Sequence, residues 1–221
     1  MGRSTSRRRR RSEEESARGG ALAAVLLQAA TALIAERGPQ GFSLREVARR
    51  ARVSEAAPYW HFASKEALLA AVAESGFVAL ASAMEELGRR VKDPRRRLRE
   101  LGIAYVRFAI ACPAHLRIMF GPEIRDKAAH PSLKAAAERA FGLLVAAVTD
   151  AQRTGSVRRG DAREMAVAAW ALVHGLAALL IDGQLPPHAR RPREAEALAA
   201  RVTKLLQAGL EPRAARGRPR R

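Results

Sequence analysis

The sequence predicts an all-α chain in two parts: an N-terminal three-helix domain carrying a helix-turn-helix, and a larger helical domain behind it. Three observations lead there. Apolar residues recur at three- and four-residue spacing through most of the chain, while strand-like alternation is nearly absent. Gly and Pro interrupt that pattern at intervals of about one helix. A chain of 221 residues is long enough for one sizeable core or two small ones.

A first helix is expected from about Ala21 to Arg37, with Leu22, Val25, Leu26, Ala29, Leu33 and Ile34 on its buried face and Gly38-Pro39 ending it. A short second helix follows from about Leu44 to Ala51. Ser43 and Glu46 have the Ser-x-x-Glu spacing of a capping box, and Leu44, Val47, Ala48 and Ala51 form its stripe. Arg52-Val53-Ser54 leaves room only for a tight turn, with Val53 inward and Ser54 placed to cap a third helix through about His61. Ser64 caps a long fourth helix to about Arg90, with Leu69, Val72, Ala73, Leu80, Met84 and Leu87 inward. Five more helices are expected at about 94–112, 113–120, 132–154, 161–183 and 193–209, punctuated by Pro113, Pro122, Pro131, Pro186, Pro187 and Pro192.

Net charge is +18, more than solubility requires, and it points to a polyanionic partner. Arg3 and Arg7 to Arg11 at one end and Arg213, Arg216, Arg218, Arg220 and Arg221 at the other supply eleven of those charges. Residues 1–20 and 211–221 are therefore expected to be disordered basic tails flanking domains at 21–66 and 67–210. The preference for Arg over Lys, with no Asn, reads as GC-rich coding; the clustering at the two ends does not. Cys112 is the one cysteine, which excludes an intrachain disulfide. No apolar run is expected to reach the length of a membrane span, and the basic start lacks the apolar segment of a signal peptide, so a cytoplasmic protein is expected.

Two short helices joined by a three-residue turn form a helix-turn-helix, whose second helix enters the major groove. What surrounds the pair is more specific. Across residues 21–70, Gly41-Phe42-Ser43, Val47-Ala48, Val53-Ser54, Tyr59-Trp60-His61-Phe62 and Lys65-Glu66-Ala67-Leu68-Leu69 make the sequence resemble the TetR family of transcriptional regulators. The resemblance implies base contacts from Arg45, Glu55, Ala56 and Ala57, and phosphate contacts from Ser43, Ser54, Tyr59, Trp60, His61 and Lys65. Phe62, and in part Tyr59, also serve to pack the third helix onto the first. Pro58 departs from the family, which more often has an aliphatic residue there; in a first turn its missing N–H shortens or stiffens the helix without abolishing it.

Residues 94–210 are richer in bulky apolar side chains than a DNA-binding module needs. Tyr105-Val106-Arg107-Phe108-Ala109-Ile110, Pro113, Leu116, Met119-Phe120, Trp170 and His174-Gly175 resemble the C-terminal domain of one TetR subgroup. Trp170 and His174, four apart, share a helix face, which suits a packed core pair as well as a ligand contact. A small-molecule effector pocket is expected among Tyr105, Phe108, Met119, Phe120, Phe141, Trp170 and His174. The resemblance implies a homodimer through the last two long helices. Met165, Ala168, Ala169, Leu172, Val173, Leu176, Leu179 and Leu180 cover more than one face of the first of them, in agreement. Two symmetric reading helices imply a palindromic operator.

An enzyme is the rival of a different class. The sequence has no phosphate-binding Gly loop after a strand, no His-Glu-x-x-His and no nucleophile beside a base. Cys112, His115 and His130 suggest no fourth metal ligand, so neither metal nor cofactor is expected. A sequence-indifferent, nucleoid-like DNA binder is favoured only by the tails, where Arg7 to Arg11 suit a minor groove and Arg216-Gly217-Arg218-Pro219 resembles an AT-hook core.

Overall fold

Short loops and strong helix signals leave little room for any other structure. The computed structural model describes residues 3–211, with side chains described from Gly19 onward. Helices α1 (Arg3–Arg37), α2 (Leu44–Ala51), α3 (Ala57–His61), α4 (Lys65–Arg90), α5 (Pro94–Ala111), α6 (Pro113–Phe120), α7 (Pro131–Arg153), α8 (Ala162–Ile181) and α9 (Pro192–Leu210) follow in order; among the described residues there is no strand. The chain divides into two compact units. One comprises residues 1–73 and 114–130, the other 74–113 and 131–221.

In the first unit α1 packs on α2 and α3. Leu26, Ala29, Ala30, Leu33 and Ile34 of α1 meet a core that includes Phe42, Leu44, Val47, Ala48, Phe62, Leu68 and Leu69. Val25, expected inward, is 42% exposed, because the buried stripe of α1 begins one turn later than apolar content alone suggests. The helix also starts at Arg3 rather than near Ala21, in a stretch expected to be a disordered arm. Periodicity cannot place that start, since residues 3–20 hold no apolar stripe, but their Arg and Glu residues are good helix formers. The C-terminal segment with the AT-hook-like run lies outside the described residues.

Capping sets several boundaries. Ser64 Oγ accepts from the Ala67 N–H at 3.1 Å and opens α4 as expected. Asp93 caps α5 through the Arg96 N–H, with Pro94 in its first turn, and Asp161 caps α8 through the Arg163 and Glu164 N–H groups.

The second unit is built around α5, which packs on α7, α8 and α9. Helix α5 approaches α8 and α9 closely at Gly102, where a Cβ would lie 2.6 Å from Thr203 Cγ2 and 3.2 Å from Val173 Cγ1. Arg107 pairs with Glu196, at 2.6 Å, to tie α5 to α9, and Arg97 reaches Asp150 on α7 at 3.1 Å.

The expectation that no apolar segment matches a membrane span needs correction. Residues 19–37, α4 and α8 are each long and apolar enough to cross a bilayer by length and composition. Their abundant Ala and scarce charge raise the average hydropathy, yet one stripe of each is committed to the protein core: Leu26, Ala30 and Ile34 in α1, Leu68, Val72 and Ala73 in α4, and Ala166, Ala177 and Leu180 in α8 are nearly inaccessible.

Arg52, the C-cap of α2, has φ 56°, the one non-glycine at positive φ among the described residues. Its N–H reaches the Arg49 carbonyl and the Val53 N–H the Ala48 carbonyl, a left-handed cap that glycine adopts without steric cost. Arg52→Gly is expected to raise stability by about 0.5–1 kcal/mol, steric relief exceeding the added freedom of the unfolded chain; urea unfolding measures it. Gly102→Ala is expected to destabilise by about 1–3 kcal/mol through the clash with Thr203, an outcome read by the same titration.

Candidate nucleic-acid interface

The turn from α1 into α2 must reverse the chain within six residues. Gly38, with φ +74°, caps α1, and its N–H returns to the Ile34 carbonyl at 2.9 Å. Gly41 then passes so close to α1 that a Cβ would lie 2.5 Å from the Arg37 carbonyl oxygen. The capping box forms as expected. Ser43 Oγ accepts from the Glu46 N–H at 3.3 Å, and the Glu46 carboxylate accepts from the Ser43 N–H at 2.9 Å. That backbone hydrogen bond, then the one from the Ser43 hydroxyl, holds the Glu46 carboxyl below the usual carboxylate range. Glu36 pairs with Arg50 through two contacts of 2.6 and 2.8 Å, and Arg37 pairs with Glu46 at 2.9 Å, across α1 and α2.

Helix α3 starts later than expected. Ser54 stands at the position expected to cap it, but α3 begins at Ala57, with Ala56 as an N-cap that makes no side-chain bond. The cause is Pro58, whose nitrogen has no hydrogen to donate to the Ser54 carbonyl four residues back. That carbonyl instead accepts from the Ala57 N–H at 3.0 Å, and Tyr59 N–H donates to Ala56 at 3.1 Å, both three-residue bonds, while Phe62 N–H makes a four-residue bond to Pro58 at 2.8 Å. The result is a reading helix of five residues.

Arg45 and Glu55 both project into solvent, 74% and 75% exposed, and face each other with Arg45 Nε 3.8 Å from Glu55 Oε2. Ala56 is exposed beside them. Ala57 is not: it is 3% accessible, facing the core, so it is withdrawn from the expected base contacts. Ser43 and Ser54 are exposed, the former with its hydroxyl committed to the capping box. Tyr59 is exposed, and Trp60 is more open still, at 76%. Phe62 is buried, as its packing role requires, and His61 is half-buried with its ring 6.3 Å from that of Phe62.

Lys65, the first residue of α4, is half-buried. Its Nζ donates to the Phe42 carbonyl at 2.8 Å and the Gln40 carbonyl at 3.4 Å, and stands 4.5 Å from the Phe42 ring centroid. Burial lowers its pKa, opposed by Glu46. Glu66 accepts from the Arg125 N–H at 3.1 Å, so the Lys-Glu pair is engaged within the unit on both sides. Arg49 and Arg52 are exposed basic neighbours that the sequence reading leaves out; an exposed Arg on an otherwise buried short helix is the signal that could have found them.

The residues expected to form a ligand pocket separate. Tyr105, Phe141, Trp170 and His174 come together in the second unit. The Tyr105 hydroxyl is 2.7 Å from His174 Nδ1, Trp170 lies 5.8 Å from His174 between ring centroids, and Phe141 lies 6.1 Å from Trp170. Burial pushes the Tyr105 hydroxyl above its ordinary range and His174 below its own, leaving the pair neutral at pH 7. A cavity of about 40 Å3 is lined by Tyr105 and Trp170 with Met84, Leu101, Val173 and Leu206. Phe108 is half-buried in the same unit. Met119 and Phe120 belong to the other unit, because Pro113 ends α5 and starts α6, whose Leu116, Ile118 and Met119 are buried with residues 114–130. No three His, Cys, Asp or Glu side chains group to hold a metal among the described residues.

Residues 26–72 match the family described as bacterial regulatory proteins, tetR family, and residues 98–206 match the tetracyclin repressor-like C-terminal domain. The chain belongs to the TetR family. Its transcriptional-regulator character follows from that membership. An HTH-type transcriptional repressor of Mycobacterium tuberculosis is 47% identical over 47 residues, 21% of this chain and a quarter (25%) of that protein's length. A solved protein of unknown function from Rhodococcus sp. RHA1 is 35% identical, with a TM-score of 0.74 over 86% of this chain and 96% of its own. The TetR family regulator PfmR of Thermus thermophilus shares the fold at 24% identity, TM-score 0.68, over 85% and 99% of the two chains. The regulator FadR of Bacillus subtilis, solved with stearoyl-CoA, shares it at 16% identity, TM-score 0.71, over 85% and 98%.

Ser43→Ala is expected to cost about 1 kcal/mol through the lost cap, measured by urea unfolding. A carboxyl held below its ordinary range adds stability that is present above its unfolded pKa and lost as pH falls through the folded one. Amide exchange across α2 is therefore expected to accelerate as pH drops below the usual carboxylate range, beyond the intrinsic pH effect, and Glu46→Gln is expected to abolish that dependence.

Proposed function

We propose that the protein is a homodimeric repressor that binds a palindromic operator and is released from it by a small-molecule effector, acting in the cytoplasm. The observation carrying this reading is the exposed Arg45–Glu55 pair on a capped helix-turn-helix within the segment that matches the family's DNA-binding domain. Arg45 presents a planar fork suited to the O6 and N7 acceptors of guanine, and Glu55 an acceptor for a cytosine amino group. Tyr59, Trp60, His61 and the hydroxyl of Ser54 would supply phosphate contacts beside them, and the net charge of +18 long-range attraction.

The dimer is supported by apolar side chains left bare on the last two helices. Val167, Leu172 and Leu179 on α8 and Leu205 on α9 are exposed in the single chain, Leu205 by 74%, and pairing with a second copy would bury them. The two-fold symmetry of such a dimer is what would make the operator palindromic, with half-sites about one turn of DNA, roughly 34–36 Å, or a multiple of it apart.

For the effector, the second unit offers a small, partly open cavity with almost wholly apolar walls. At about 40 Å3 it holds a few waters, so a ligand would have to enlarge it by moving Met84, Trp170 or Leu206. An apolar or amphipathic molecule suits those walls, and the FadR complex is a case of this fold with an acyl-CoA. Helix α4 begins in the first unit and ends in the second, so an effector that shifts it would act on the reading head; a coupling of about 1–3 kcal/mol loosens the operator by roughly 5- to 150-fold.

Selection of bound duplexes from a random library is expected to return one palindromic motif. A library recovered without enrichment would instead establish the sequence-indifferent binder. On the selected operator Arg45→Ala is expected to cost about 1–3 kcal/mol and relax one base pair per half-site. Leu172→Glu with Leu205→Glu is expected to convert the dimer to monomers in sedimentation at micromolar concentration.

A further inference from the structure

A small-molecule site usually encloses about 300–1,000 Å3. The apolar cavity, at about 40 Å3, falls far below that range, but a groove of about 380 Å3 adjoins it, wholly within the second unit. The groove lies between the C-terminal end of α4, the start of α5 and α7. Met84 and Leu101 line both spaces, which makes them the partition between the two. These two and Ala147 are buried and form an apolar floor; Arg89 and Lys92 are exposed at the rim, with Arg97 half-buried beside them.

Two acids also face the groove, and both are already engaged. Glu85 accepts from Arg139 at 2.7 to 2.9 Å, and Asp150 pairs with Arg97 at 3.1 Å and Arg153 at 3.7 Å. Arg89 pairs with Glu86, whereas Lys92 is in no ion pair among the described residues. The Arg97 guanidinium donates to Asp150 and, at 3.2 Å, to the Lys92 carbonyl, while its Nε–H is buried without an acceptor. An unmade bond on a buried charged donor is costly, and an anionic oxygen that draws the guanidinium into the groove would make it. The adjoining cavity has little polar capacity to offer: the Tyr105 hydroxyl is bonded to His174, the Thr203 hydroxyl to the Ala199 carbonyl and the Gln207 amide to the Arg95 carbonyl.

We infer that the groove binds a single-chain amphiphile with an anionic head: the head is held at the rim by Lys92 and Arg97, and the apolar chain lies over Met84 and Leu101 and reaches the cavity when the flexible methionine turns aside. Gly88 keeps the groove open. A Cβ there would meet nothing within 4 Å, so packing does not require a glycine at a position where it weakens the helix. This assignment rests on the effector reading proposed above and narrows it to one class of ligand, and the two fail separately.

Calorimetric titration of the full chain with decanoate, decanol and decyltrimethylammonium, each below its micelle concentration, tests the site. Decanoate is expected to bind at least about tenfold more tightly than the cation of the same chain length. Lys92→Gln, at an exposed position between α4 and α5, is expected to weaken decanoate by about three- to fivefold and to leave decanol unchanged. Gly88→Leu is expected to reduce the binding of both by more than about tenfold without lowering Tm, because the new side chain fills the groove and displaces no neighbour. Lys204→Gln, in the separate groove between α5 and α9, is expected to change nothing.

Equal binding of decanoate and the cation overturns the assignment, as does full decanoate affinity in Lys92→Gln, a loss in Lys204→Gln instead, or no decanoate binding to the unmodified protein. If Gly88→Leu does not fold, Lys92→Gln with the same compounds decides alone. Decanoate that binds as described but leaves operator affinity unchanged overturns the effector reading and leaves the groove assigned.

Discussion

The close passage of Gly41 over the end of α1 is the constraint from which the DNA-facing half of the molecule follows. A side chain at that position would occupy the place of the Arg37 carbonyl, so the turn can be this tight only with glycine there. With the turn drawn in, Phe42 reaches the core, Ser43 falls at the N-cap, and Glu46 meets both the cap and Arg37. Each surface ion pair across α1 and α2 adds little by itself. Their common effect is to hold α2 in one register on α1, which is what a side chain such as Arg45 needs if it is to address a base edge rather than sweep across several.

Much of this is legible in the sequence because it is local. The Ser-x-x-Glu cap, the Ser64 cap of α4 and the proline breaks depend on residues within four positions of one another, and each helix from α4 onward lies within about two residues of its expected span. The late start of α3 is half legible. Pro58 is tolerable in a first turn, but the same missing hydrogen disqualifies Ser54 as the cap, since the bond it would anchor is the one proline cannot make. The inward turn of Lys65 is not legible. It depends on the Gln40 and Phe42 carbonyls, more than twenty positions away, and nothing in the residue types announces which carbonyls will lie within reach.

The same contrast explains the residues expected to form a ligand pocket. Tyr105, Trp170, His174 and Phe141 do assemble, while Met119 and Phe120 lie in the other unit. Bulky apolar character marks a residue as buried, but two cores in one chain draw on the same residue types, and only the break at Pro113 says which core a side chain joins. Gly102 is the clue left unused. A lone glycine inside an apolar helix marks a close helix approach, and here it brings α5 onto Thr203 and Val173 beside the cavity that Tyr105 and Trp170 also line.

The shortness of α3 sets how much information the protein can draw from a half-site. Five residues make fewer than one and a half turns, and Ala57 and Pro58 are spent on the core, so few positions remain to question a base. On the proposed operator reading, so few side chains able to meet a base edge would leave part of the choice of site to groove width and to how readily each duplex bends.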